Sequence, residues 1–117
     1  MTGVSRRFDQ PDATRDFPQA HWDVVQVGDR RVARITFQPG WRWSECIKPT
    51  SGTESCLVPH TNYIVSGHLA TRMDDGTEFV SGPGEVTWVP PGHDGWVVGD
   101  EPVVMIDFTG SNPGIAQ

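Results

Sequence analysis

Lysine is almost missing from this chain: Lys48 is the only one, and the eight arginines are scattered apart from the Arg6-Arg7 and Arg30-Arg31 pairs. With a formal net charge of −6 and a pI near 5.0, the chain has no clustered positive surface for phosphates. Neither nucleic acid nor an anionic membrane is therefore an expected partner. Leucine and alanine are also scarce, and no window carries a sustained 3.6-residue apolar period with caps, which excludes a helical bundle. No apolar run reaches the length of a membrane helix, and Met1 to Gln10 hold no apolar region of a secretion signal, so a soluble cytoplasmic protein is the expectation. Internal repeats and low-complexity runs are absent. Two cysteines, Cys46 and Cys56, are too few for a disulfide framework and read as free thiols or ligands. They lie close enough in sequence to pair across a loop, so a single disulfide stays open.

What the chain has instead is β and turn chemistry. Thirteen glycines, ten prolines and five tryptophans in 117 residues predict one all-β domain, near the commonest domain size. Residues 1–20 are polar and punctuated by Pro11 and Pro18, and read as an N-terminal arm with one short edge strand around Phe8 or Phe17. A barrel is expected over residues 21–110 and a tail over 111–117. Within the barrel, His21 to Val27 and Arg31 to Phe37 flank a Gly28-Asp29 turn, with Ala33, Ile35 and Phe37 on one face. Trp41 to Lys48 can run extended, and Pro49 to Thr53 is turn chemistry at a loop tip. His60 to Val65 is the next strand. His68 to Met73 and Thr77 to Val80 flank Asp74-Asp75-Gly76, a hairpin signal. Val86 to Val89 enters Pro90-Pro91-Gly92, which cannot continue a ladder, and His93 follows at that corner. Trp96 to Val98 and Val103 to Phe108 complete eight or nine short strands, the count of a sandwich or barrel.

The spacing of glycines and prolines then carries a resemblance. Gly84 followed by five residues and Pro90-Pro91-Gly92 is similar to the front of the second cupin motif. Gly40 with five residues leads to Cys46, and His60 with six leads to Gly67, as in the first. Over residues 32–108 the chain thus resembles a small single-domain cupin, which implies a jelly-roll β-barrel with a metal in its mouth. At the family's ligand positions Cys46 stands for the first His, Lys48 for the second and His60 for the Glu, while Gly95 occupies the place of the last His.

The resemblance implies a ligand position for His60, which could otherwise be a hydrogen-bonded core histidine. Cys46 is inward if its strand is regular, as a ligand or as a small buried hydrophobe. His93, positioned by a turn, could supply the missing imidazole or stay a polar corner residue bonded to Asp94. Cys56 shares the strand phase of His60 and could complete a Cys2His2 set or sit in the loop. Lys48 would be a base or imine-forming amine if buried and nothing if outward. His21 and His68 read as exposed. Trp43, Tyr63 and Trp88 are candidates for an apolar wall against a flat ligand, against the ordinary reading of aromatics as core.

Two functions follow as expectations. One is a metal-dependent enzyme of isomerase, cyclase or dioxygenase type acting on a small organic molecule, with a divalent ion, zinc first and Fe, Ni, Mn or Cu after it, held by His60, Cys46 and His93. The other is a metal-free small-molecule-binding module on the same barrel. Ten aromatic side chains of Trp and Phe are hard to hide in so small a barrel, and small cupins commonly pair through their sheets, so a homodimer is expected.

Overall fold

The structure, a computed structural model, describes residues 2–109, and the tail expected over 111–117 lies outside them. Nine strands and two short helical turns occur among the described residues. The strands are β1 (Ala13–Phe17), β2 (Ala20–Val27), β3 (Arg30–Phe37), β4 (His60–Ser66), β5 (Leu69–Met73), β6 (Glu78–Ser81), β7 (Val86–Val89), β8 (His93–Val97) and β9 (Val103–Asp107). The helical turns, α1 (Trp43–Cys46) and α2 (Lys48–Ser51), fall between β3 and β4. All pairings are antiparallel, in a six-stranded sheet of order β1-β2-β3-β9-β4-β7 and a three-stranded sheet of order β6-β5-β8. The result is the expected all-β jelly-roll barrel.

Period-two patterning decides which side chains meet between the sheets. In β2 and β3 the residues Trp22, Val24, Ala33, Ile35 and Phe37 are buried, and they join Ile64, Leu69, Val97, Val103 and Met105 in one core. Trp22 packs edge-on against Phe37, and Phe37 stacks on Trp41 at 3.8 Å between ring centroids. The turns form where the sequence marks them: Gly28-Asp29 links β2 to β3, and Asp74-Asp75-Gly76 with Thr77 links β5 to β6. Gly67 is required sterically, since it has φ of +78° and a Cβ there would meet the Pro102 carbonyl oxygen at 2.3 Å.

One segment departs from expectation. The stretch from Trp41 to Lys48 is not extended: α1 buries Trp43 on a helical face with Ile47 four residues on, and Asp94 accepts the Ser44 backbone N–H at 3.0 Å. Pro49 lies in the first turn of α2, where its missing N–H costs nothing, and Gly52 ends that turn in the left-handed conformation at φ of 75°. The short edge strand expected around Phe8 or Phe17 is β1, at one edge of the larger sheet. β1 pairs with β2 from Ala13↔Val24 to Phe17↔Ala20 and Phe17 packs edge-on against Trp22, so the sheet begins at Ala13. Among the described residues no helix is long and apolar enough to cross a membrane.

His21 ties β1 to β2, with Nδ1 2.6 Å from Asp16 and Nε2 2.8 Å from Asp23. Its pKa is raised, first by the Asp16 hydrogen bond and then by that of Asp23. A raised histidine contributes stability that is present below its ordinary value and lost as pH rises through the folded one. The imidazole proton signals of His21 should therefore titrate above the usual histidine range, and Asp16→Asn should bring the midpoint down. An unchanged midpoint in that variant would refute the pairing.

Candidate metal centre

β4 alternates, so His60, Asn62 and Ile64 turn inward while Thr61, Tyr63 and Val65 turn out. On the neighbouring β9 the inward set is Val103, Met105 and Asp107. Asp107 is the residue that breaks an otherwise apolar face, and it is 1% exposed. Its Oδ2 lies 2.8 Å from His60 Nδ1, and its Oδ1 accepts the Thr109 backbone N–H at 2.8 Å. The carboxylate thereby holds the proton of His60 on Nδ1 and leaves Nε2 facing the space between the sheets.

The third component comes from the long loop before β4. Cys56 donates its backbone N–H to the His93 carbonyl at 2.7 Å, while its own carbonyl accepts from Gly92 at 2.8 Å and from His93 at 3.2 Å. This isolated bridge fastens the loop to the start of β8 and sets the Cys56 thiol beside two imidazoles. The corner that carries His93 is tight: Gly92 has φ of +92°, and a Cβ there would come within 2.7 Å of Asp74 Oδ2. His93 Nδ1 lies 2.9 Å from the Pro90 carbonyl, which can only accept, so Nδ1 carries the proton and Nε2 is the free nitrogen.

Cys56, His60 and His93 thus present ligand atoms that all lie within 4.8 Å of one another. The Cys56 Sγ to His60 Nε2 distance is 3.7 Å, and the two imidazole rings stand edge-on with centroids 5.6 Å apart. One ion with bonds of about 2.0–2.3 Å can bridge such a set after small side-chain rotations. Each histidine has its second ring nitrogen hydrogen-bonded to a carboxylate or a backbone carbonyl, the usual support of a metal-ligating imidazole.

The electrostatics suit a cation as well. Burial pushes the Cys56 thiol up, but the hydrogen bonds of His60 and His93 outweigh it and bring the thiol down to about 6. Burial works against the His60 imidazolium, yet Asp107 first and Cys56 second raise it to about 9. Without metal the pair is a thiolate facing an imidazolium, and a cation at the same place would take over the role of the proton on His60 Nε2.

The cluster borders a cavity of about 60 Å3 whose walls include Trp22, Phe37, Trp41, Trp43 and Met105, with Asn62 and Thr71 as further polar residues. Gly95 also lines it, and the space a side chain would occupy there adjoins the Trp41 ring, 3.9 Å from a built Cβ. Outside lies a groove of about 230 Å3 shared by Phe17, Trp43, Ile47, Leu57 and Cys56.

Of the sequence candidates, the structure brings together His60 and His93 and sets Trp43 in the cavity wall. Cys46 is not with them. It ends α1, where helical phase turns its Sγ toward Gln19 Oε1, 4.0 Å away, and Cys56 holds the thiol position instead. Both cysteines are free. Tyr63 and Trp88 do not line the cavity: they are 39% and 66% exposed, because both stand on the outward phase of paired strands β4 and β7. Lys48 points outward to Glu54, with Nζ 2.9 Å from Oε2. His68 is exposed. Asp107 and Asn62 were missed, although an acid on the inward phase of Val103 to Asp107 was a readable signal.

Comparison with solved structures places this architecture among the cupins. The fold is similar to KdgF from Halomonas sp., at 19% identity over 96% of this chain and 97% of that one with a TM-score of 0.65. It is also similar to an RmlC-like cupin from Shewanella frigidimarina, at 17% identity over 97% of each chain with a TM-score of 0.60. A cupin-like protein from Thermotoga maritima shares 16% identity over 77% of this chain and 67% of that one, with a TM-score of 0.55. Likeness at this identity defines the fold, a cupin jelly roll. No protein-family model matches the sequence, and no curated protein matches it.

In metal-stripped Cys46→Ser protein, the ultraviolet absorbance of the Cys56 thiolate should appear with a midpoint near pH 6. The sign follows from the depressed folded value: the contribution to stability is fully present above the ordinary thiol value of 9.0 and is lost as pH falls toward and through about 6. Asp107→Asn weakens the His60 imidazolium and should raise the midpoint. A midpoint in the ordinary thiol range, insensitive to Asp107, would contradict this geometry.

Proposed function

We propose that the protein is a metal-dependent enzyme acting on a small organic molecule between its sheets, with the ion held by Cys56, His60 and His93. The observation that carries this is the convergence of three ligand atoms, two of them on histidines whose far nitrogens are fixed by Asp107 and the Pro90 carbonyl. One thiolate and two imidazoles suit zinc first, with Fe, Ni, Mn and Cu as further possibilities for the donor set. A bound ion with three protein ligands keeps an open position at which a carbonyl can be polarised or water or dioxygen activated. Asp107 keeps the His60 proton on Nδ1, and Trp22, Trp41 and Trp43 wall the space beside the cluster in which a small substrate would lie. Isomerase, cyclase and dioxygenase chemistry, which the cupin resemblance implies, are the reaction types to test.

A metal-free binding module is the second reading. It is favoured by the Cys56–His60–Asp107 chain, whose side chains are already hydrogen-bonded to one another. Metal analysis of untagged protein separates the two. One equivalent of zinc or another transition ion should be found, and a chelator should lower the melting temperature. Cys56→Ser and His60→Ala should lose the ion, Asp107→Asn should weaken it by about 10- to 100-fold, and Cys46→Ser should leave it unchanged. Metal-free protein with a melting temperature indifferent to chelator would favour the binding module.

The same chain is also proposed to pair with a second copy. β7 is an edge strand of the larger sheet, and on its outer face Val86 and Trp88 are 71% and 66% exposed beside Tyr63 and Val65 of β4. An open edge next to an apolar face is what strand addition across a two-fold axis covers. Light scattering should give twice the 12.9 kDa chain mass, and Trp88→Lys should halve it. A wild-type mass of one chain at micromolar concentration would rule pairing out.

A further inference from the structure

Asn62 stands on β4 two residues from His60, on the same inward face, so the two side chains start about 7 Å apart. It is 3% exposed and lines the cavity, yet its Oδ1 has no hydrogen-bond partner among the described residues. Trp22 and Trp41, in the wall of the same cavity, also have Nε1 donors without a protein partner. A buried acceptor left unpaired is destabilising, and an apolar residue of similar shape at position 62 would avoid that cost. Since Leu69, Val89 and Met105 line the same cavity, an apolar side chain would suit the surroundings. A polar group kept at that cost next to a reactive cluster is a recognition group for what enters.

The cavity limits what that is. About 60 Å3 holds roughly four water centres at 10–15 Å3 each, so the occupant has only a few non-hydrogen atoms. It must donate to Asn62 Oδ1 at one end and offer an anionic or carbonyl oxygen to the cluster at the other. A hydroxyl meets the first demand, and its oxygen can in turn accept from an indole N–H. Resting on the metal centre proposed above, we infer that Asn62 selects a small hydroxylated carboxylate or carbonyl compound by accepting its hydroxyl, against analogues in which that hydroxyl is missing.

Glycolate and acetate, which differ by one hydroxyl, are the probes, and calorimetry and melting temperature of zinc-loaded protein are the readouts. Wild type should bind glycolate about tenfold more tightly than acetate, the worth of one such hydrogen bond. Asn62→Leu should abolish that preference, retain one equivalent of zinc, and melt no lower than wild type without ligand. Asn62→Ala serves as the second variant should leucine fail to fold, with the same loss of preference expected. A purely structural asparagine would do the reverse: melting would fall and the preference would survive, which overturns the inference. Equal binding of glycolate and acetate by wild type overturns it too, without touching the metal reading if zinc is bound. If no zinc is retained, the metal reading fails separately and the same pair is compared on metal-free protein. A preference lost in Asn62→Leu supports Asn62 there, and no preference overturns it.

Discussion

The backbone bridge between Cys56 and His93 is the contact on which the candidate site depends. Three hydrogen bonds, from Cys56 N–H to the His93 carbonyl and from Gly92 and His93 N–H to the Cys56 carbonyl, hold a long irregular loop against the corner of the smaller sheet. Without them the thiol would lie on a segment with no strand register of its own. With them, a residue from the loop, one from β4 and one from β8 converge, although they come from three separate parts of the chain. Ser55 Oγ donating to Asp74 Oδ2 at 3.0 Å, and Asp74 N–H donating to the Gly92 carbonyl at 2.9 Å, extend the same tie to the β5–β6 hairpin.

Around that tie the two sheets contribute unequally. The larger sheet supplies His60, Asn62 and Asp107 from neighbouring strands β4 and β9, so their spacing is set by ladder geometry and is rigid. The smaller sheet supplies His93 from a Pro-Pro-Gly corner, and the loop supplies Cys56. The site is thus built half on rigid strands and half on a tethered loop, and Cys56 and Trp43 line both the cavity and the groove beside Leu57. Burying a thiolate, an imidazolium and a carboxylate together is costly in an apolar barrel, and the mutual hydrogen bonds are what offset it.

Much of the fold was legible before any coordinates. Alternation in Arg31 to Phe37, the Gly28-Asp29 and Asp74-Asp75-Gly76 turns, and the Pro90-Pro91-Gly92 stop are local signals whose physics lies within a few residues. His93 was legible as a candidate from its corner, and His60 from the cupin resemblance, which puts it at a ligand position. Trp41 to Lys48 was not, because its helical turn depends on Asp94 accepting the Ser44 N–H from fifty residues away. That single tertiary contact moved Cys46 out of the cluster. Tyr63 and Trp88 were taken for pocket residues on chemical type, whereas strand phase put them on the outside.

The sequence by itself determined an all-β single domain, its main turns and the alternating faces of the strand from Arg31 to Phe37, because period-two patterning and turn chemistry act over two to five residues. Only the tertiary structure decided which cysteine joins the two histidines, that Asp107 stands behind His60, and that Asn62 is left without a partner. Those are questions of which strands lie side by side and where a loop is pinned, and they are set by contacts between residues about thirty to fifty positions apart, such as Cys56 with His93 and His60 with Asp107.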